Sequence, residues 1–498
     1  LIRSFWAGLV FFFSFVQVFA QADIEDRVLK GIELANNFQW EKSDDTFQKL
    51  IDQHPDDPQG YFYKARNHAW AYLSSKSKIE YDEFFRLSDL ALKKAEQTLD
   101  ADSKNELAIF ISGTTYNYRG IVYGKAESYV NAIWAFQKSS SYLKDLLAKN
   151  NKFYDAYLGL GIINLVLSDI PAAFKWALSV AGLQSDKNSG LNFLKSASQN
   201  GRYLRTEAQY YLSQVYSDNL LNYKASENYL RKLTAQFPNN VLFQYSFATL
   251  LMKERKLAEA ESVLQRLAKA DTNKKFRQVI SYVNFSLGDI HYRKNEFSKA
   301  VEYYNKFLRS NSFQEYTGIA NLRLGIAYEI NGDRNAAIRC FEKAQKGNLN
   351  FEEDVFAKRK GEMFQKRTIA ENEIKVLKGG NFVEAGNYYD AAIILNDALV
   401  SVKSDKLKAE AYLYLSDAAY ESGKYSESID YANKAEGLNL QEEQWILPYA
   451  LYFEARSNSK NGNLAGAKSC LKEAERQNSH DFEKKIKILI NNLSKTIN

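Results

Sequence analysis

A small residue recurs along this chain inside helical apolar patterns, and large residues sit at fixed distances after it. In LGIAYEINGDRNAAIRCFEKA the positions are Leu324, Gly325, Tyr328, Gly332, Ala337, Phe341 and Ala344. In LGDIHYRKNEFSKAVEYYNKFL they are Leu287, Gly288, Asn295, Phe297, Ala300 and Tyr304. Small side chains let two helices approach to about 8–10 Å, and bulky neighbours fill the grooves beside the crossing. The same marker falls at Gly31, Ser213, Ala248, Gly288, Gly325, Gly379, Ser416 and Ala455, with steps of 35, 40 and 37 from Ser213 to Gly325 and of 37 and 39 from Gly379 to Ala455. A period of that size means stacked supersecondary units, each burying a face against the next.

These offsets resemble the tetratricopeptide repeat, a pair of antiparallel helices A and B joined by a turn at Gly or Asn. The expected fold class is therefore all-α, an α-solenoid of helix pairs. Composition agrees: Pro is scarce at 5 and Gly modest at 24, while 33 Tyr and 31 Phe supply side chains large enough to fill inter-helix gaps. The first clear unit, GIELANNFQWEKSDDTFQKLIDQHP, carries Gly31, Trp40, Ser43 and Phe47 and stops at Pro55, which cannot continue a helix. The last has Gly462, Leu464, Ala467, Leu471 and Ala474, followed by an amphipathic closing helix FEKKIKILINNLSK.

Five segments are expected: a signal peptide at 1–22, an N-terminal helical region at 23–200 with one clear and several degenerate repeats, central repeats at 201–346, a connecting helix at 347–375, and C-terminal repeats with the closing helix at 376–498. The first segment, LIRSFWAGLVFFFSFVQVFAQA, has one early cation at Arg3, an apolar run from Phe5 to Phe19 and small residues suited to a signal peptidase at Val18, Ala20 and Ala22. A mature chain starting near Gln21 or Asp23 in a periplasm or outside the cell is the expectation, without a membrane span. Cys340 and Cys470 lie 130 residues apart, several repeats from each other, so a disulfide is not expected and both read as thiols in apolar surroundings.

Residues 157–204, YLGLGIINLVLSDIPAAFKWALSVAGLQSDKNSGLNFLKSASQNGRYL, resemble the inclusion-body-clearance family of tetratricopeptide proteins. The matching positions are Gly159, Gly161, Asn164, Leu165, Leu167, Ser168, Pro171, Gly182, Gly190, Leu191 and Leu194. The resemblance implies a helical adaptor without known catalytic residues. The residues add that Ser168 or Asp169 caps a new helix with Pro171 in its first turn, and that Gly159 and Gly161 permit close helix contact.

Catalytic signatures are missing. No H-E-x-x-H pair, nucleophile elbow, phosphate loop or dinucleotide fingerprint occurs, and none of His54, His68, His291 and His480 stands at metal-ligand spacing from another ligand. No enzymatic activity, metal or cofactor is expected. The 66 basic and 60 acidic residues give a net charge of only +6. The cluster Lys358, Arg359, Lys360, Lys366 and Arg367 is interleaved with Glu362, Glu371 and Glu373, which reads as a solvated helix face, not a nucleic-acid surface. The expected function is a scaffold that holds a protein or peptide on a concave helix-A face. Counting helix-A offsets puts Tyr210, Gln214, Tyr245, Thr249, Phe285, Asp289, Tyr292, Arg293 and Tyr420 on that face. The alternative is a glycan- or lipid-binding pocket near residues 134–176, lined by Trp134, Trp176 and the Gly159–Pro171 stretch.

Overall fold

The structure, a computed structural model, describes residues 22–167, 170–270, 274–311 and 313–497, and among them there is no strand. The signal-peptide expectation and the Ser168 and Asp169 capping expectation fall outside the described residues, Ala22 excepted. The chain divides into two units. One holds the described residues up to Tyr216 with Lys224–Ser246 and 274–277; the other holds Ser217–Tyr223, Phe247–Ala270 and the chain from Gln278 onward.

The first unit is built from α1 (22–36), α2 (Trp40–Gln53), α3 (Pro58–Ser75), α4 (Lys78–Ala101), α5 (Glu106–Lys125), α6 (Tyr129–Lys149), α7 (Ala156–Val166), α8 (Lys175–Val180), α9 (Lys187–Asn200), α10 (Arg205–Gln214) and α11 (Tyr223–Gln236). Helix α12 (Val241–Lys253) crosses the division. The second unit continues with α13 (Leu257–Leu267), α14 (Arg277–Arg293), α15 (Phe297–Ser310), α16 (Thr317–Ile330), α17 (Arg334–Ala344), α18 (Glu352–Lys366), α19 (Glu371–Glu384), α20 (Tyr388–Ser401), α21 (Asp405–Glu421), α22 (Tyr425–Glu436), α23 (Ile446–Lys460), α24 (Leu464–Arg476) and α25 (Glu483–Ile497).

Side-chain caps start several of these helices: Asn105 accepts from the Ala108 N–H at 2.9 Å, Asp333 from Ala336 at 2.9 Å and Asn463 from Gly466 at 3.0 Å. Each satisfies an N–H that has no partner within the helix. All eight marker residues are buried. Where the marker or its counterpart is Ser, the hydroxyl donates to the facing backbone: Ser43 to Gly31 O, Ser226 to Ser213 O and Ser416 to Ser428 O, each at 2.8 Å. A buried hydroxyl at a helix crossing thus keeps a partner without widening the gap.

Gly288 shows why the marker is small. A Cβ there would stand 2.8 Å from Cδ1 and Cε1 of Tyr304, a fully buried ring whose hydroxyl donates to Asp289 at 2.7 Å and so cannot swing away. Gly288→Ala is expected to lower stability by about 1–3 kcal/mol through overpacking. Thermal unfolding checks this, with no loss at all counting against the packing account.

The long step between Gly325 and Gly379 is occupied by α18, whose Phe364 meets Phe341 of α17 with ring centroids 5.6 Å apart. Cys340 is buried, Cys470 is half-buried, and both are free. The Arg359 region is a correction to the solvated-face expectation. Arg359 and the buried Lys360 bind Glu443, and Arg359 also binds Asp481. Lys366 does face solvent, paired with Glu362.

Candidate functional site

Helix-A faces in the second unit gather ionic and aromatic groups that an ordinary apolar core would not hold. On α14, Asp289 accepts from Tyr304 and from Arg323 of α16, and lies 3.7 Å from Arg293. Arg323 stands over the Tyr292 ring at 5.7 Å. One helix turn farther on, Arg293 reaches Glu384 of α19 at 3.3 Å. On α21, Asp417 accepts from Arg255 at 2.5 Å and lies 3.7 Å from Arg456 of α23. The Arg456 guanidinium sits 3.7 Å from the Tyr420 ring centroid and donates to Glu421 at 2.7 Å.

Exposure separates anchors from accessible groups. The side chains of Asp289 and Asp417 are 8% and 7% exposed, whereas Arg293 is 21% and Glu384 is 51%. Desolvation pushes the Glu384 carboxyl up, but Arg293, Arg255, Lys485 and Arg323 together pull it below the ordinary carboxylate range. Desolvation raises the Glu410 carboxyl despite Lys360 nearby, while Tyr414 donates to it at 3.1 Å. Among the described residues no group of three or more His, Cys, Asp or Glu is placed to hold a metal.

The nine residues expected on a binding face fall in both units. Tyr210, Gln214 and Tyr245 belong to the first unit; Thr249, Phe285, Asp289, Tyr292, Arg293 and Tyr420 belong to the second. Tyr210 is half-buried against Phe243 at 5.1 Å, with its hydroxyl 3.1 Å from Ser246 Oγ. Gln214 is half-buried and donates to Ser213 Oγ at 3.2 Å, and Tyr245 and Thr249 are half-buried. Phe285 packs among Tyr304, Phe307 and Tyr316, and Tyr292 is 6% exposed against Phe297. Arg293 and Tyr420 are the members that combine partial exposure with the ionic lattice.

Sequence reasoning missed Arg255, Arg323, Glu384, Asp417 and Arg456. A signal existed: Asp289 and Asp417 each directly follow a small marker, Gly288 and Ser416, so an acid recurs at one repeat position. His291, by contrast, is 2% exposed, with Nδ1 2.7 Å from Glu296 and its ring stacked on Tyr303, a packed histidine.

The two tryptophans expected in the alternative pocket near residues 134–176 do not stand as expected. Trp134 and Trp176 are 44% and 60% exposed, so they face outward rather than lining a closed space. A Cβ at Gly161 would stand 2.8 Å from Leu194, and one at Gly159 would collide with Leu143, so both glycines serve helix packing.

The family description Iml2/Tetratricopeptide repeat protein 39 matches residues 154–377, a span that contains the 157–204 stretch, and a Tetratricopeptide repeat model matches residues 377–439. No curated protein sequence matches. Among solved structures, yeast Tom70 is similar at 12% identity and a TM-score of 0.33, covering 92% of this chain and 100% of its own. A tetratricopeptide repeat protein from Parabacteroides merdae ATCC 43184 has 17% identity and a TM-score of 0.26 over 58% of this chain and 98% of its own. Among the described residues no helix is long and apolar enough to cross a membrane. With paired helices built around small crossing residues, and with repeat matches running from 154 to 439, the chain is a tetratricopeptide-repeat protein whose residues 154–377 match the Iml2/Tetratricopeptide repeat protein 39 family.

Proposed function

We propose that the chain is an exported scaffold that holds a protein or peptide segment on the helix-A faces of its second unit. The observation that carries this reading is the Arg293–Glu384 pair. It is a contact between helices of different repeats, yet half of the Glu384 side chain remains open to solvent. Beside it stand Tyr420 and Arg456, and rings and guanidiniums of this kind act as anchors at protein interfaces. Tetratricopeptide repeats are scaffold elements as a class, which agrees with the missing catalytic signatures. Export rests on the Arg3, Phe5–Phe19 and Val18-x-Ala20 pattern.

The test starts from protein recovered from the periplasmic or secreted fraction of its host. Its first residue is expected at Gln21 or Asp23; recovery only from the cytoplasm, uncleaved, removes the export proposal. Crosslinked capture from that fraction is then repeated with Arg293→Glu and with Glu384→Arg. Each reversal is expected to weaken capture at least tenfold. Full capture by both variants would take the binding surface away from these helix faces.

A further inference from the structure

Turns that join helix A to helix B place one residue in the left-handed region, among them Arg255 at φ 59°, Asn295 at 59°, Gly332 at 86°, Gly386 at 78°, Gly423 at 76° and Gly462 at 79°, with Phe38 and Leu221 at the same place in two earlier turns. Glycine adopts this conformation freely and Asn tolerates it; for Arg it is unfavourable. An unfavourable backbone persists where surrounding contacts hold it in place. At Arg255 and Asn295 the side chain reaches α19–α21, although α16–α18 intervene in the chain.

Arg255 Nη1 donates to the Tyr388 hydroxyl at 3.0 Å, and Nη2 donates to Asp417. Its Cβ would lie 3.5 Å from a Cβ placed on Gly386, so the two turns touch. Asn295 Nδ2 donates to Lys378 O at 3.2 Å, and its Oδ1 accepts from Asn381, which also donates to Tyr292 O at 3.0 Å. Between these two sets of bonds opens a cleft of about 590 Å³ lined by Arg255, Lys256, Glu259, Lys294, Phe382 and Asn387. The Arg293–Glu384 pair bridges the same helices, α14 and α19. The bonds from Arg255 and Asn295 are polar and part-buried, although Asp417 and Asn381 are themselves buried, and local openings draw on contacts with little apolar burial.

We propose that Arg255 and Asn295 form a releasable latch across this seam, and that its release separates Arg293 from Glu384 and admits a partner's peptide segment to the helix-A faces. The latch rests on the reading of those faces as the binding surface.

The test is amide hydrogen exchange on the full chain carrying Arg255→Gly and Asn295→Gly. Glycine suits the left-handed turns, so the substitutions remove the reach without straining the backbone. Amides in 254–258 and 385–391 are expected to exchange at least tenfold faster, with α16 and α17 unchanged. Unaltered rates at the seam would overturn the latch. Equal acceleration in α16 and α17 would overturn it too, since the side chains would then be general supports. No partner enters this measurement, so its failure leaves the binding reading standing. Failure of the charge-reversal capture sinks the binding surface whatever the exchange rates.

Discussion

Glu443→Ala is expected to destabilise the second unit by about 3–5 kcal/mol, the cost typical of removing one member of a buried ionic group. The Glu443 side chain is 3% exposed and accepts from Arg359 Nη1 and Nη2 at 3.0 Å each, from Lys360 Nζ at 2.8 Å and from the Trp445 indole N–H at 2.7 Å. Alanine leaves two cations and a buried N–H facing a void. Asp481 keeps two bonds to Arg359, from Nε at 3.0 Å and from Nη2 at 2.6 Å, which limits the loss on that side and does nothing for Lys360 or Trp445. Burial by itself raises the Glu443 carboxyl, but Arg359 and Lys360 outweigh it and hold it at about 2. Because that lies below the ordinary value of 4.5, the contribution is complete above pH 4.5 and disappears as pH falls toward 2. Chemical unfolding at pH 7 and again at pH 3, followed by exchange of the α18 amides, reads both effects. The wild type's advantage over Glu443→Ala should be markedly smaller at pH 3 than at pH 7. A difference under about 1 kcal/mol at pH 7 would show that Arg359 and Lys360 find other partners.

That cluster marks where local sequence stops being informative. Gly288 with Tyr304, and Gly325 with Phe341, are legible because the two helices of one repeat are close in the chain, and the offset from small to large residue is fixed by the turn. Arg359 and Glu443 are 84 residues apart, and no periodicity pairs them. The basic run at 358–360 therefore read as a solvated face, since a charge run looks the same in sequence whether its partner is water or a distant carboxylate. Tyr292 is less accessible than its offset implies, for a related reason. Its helix-A offset is right, but Arg323 from the next repeat covers its ring, and that guanidinium is visible only once the repeats are stacked. Trp134 and Trp176 were misplaced because the helices between α4 and α9 lack clean repeat spacing, so nothing fixed which of their faces turns inward. The latch positions are a different case. Arg255 and Asn295 stand where later repeats have Gly332, Gly386, Gly423 and Gly462, and that contrast can be read from the sequence once the turns are aligned.

The first unit offers the sharper test of whether its buried charges serve stability or specificity. Arg66 and Glu207 have side chains only 4% and 2% exposed; Arg66 Nε donates to Glu207 at 3.0 Å and to the Tyr118 hydroxyl at 3.1 Å, while Tyr118 donates to Glu207 at 2.5 Å. Glu207→Leu is expected to cost about 3–5 kcal/mol, because it strands the Arg66 guanidinium where water cannot reach it. Replacing the whole group by Arg66→Met, Tyr118→Phe and Glu207→Leu should recover most of that loss, and buried ion clusters exchanged for packed apolar residues have even gained about 1–4 kcal/mol. Denaturant unfolding of both variants decides the matter. If the triple variant is less stable than Glu207→Leu alone, the three side chains are supporting geometry that apolar volume cannot replace. If it is as stable as the wild type, the ionic group was not needed for the fold. The reason for a charged centre must then lie in the register of α3, α5 and α10, since a buried arginine bonded to Glu207 and Tyr118 disfavours packings that separate them.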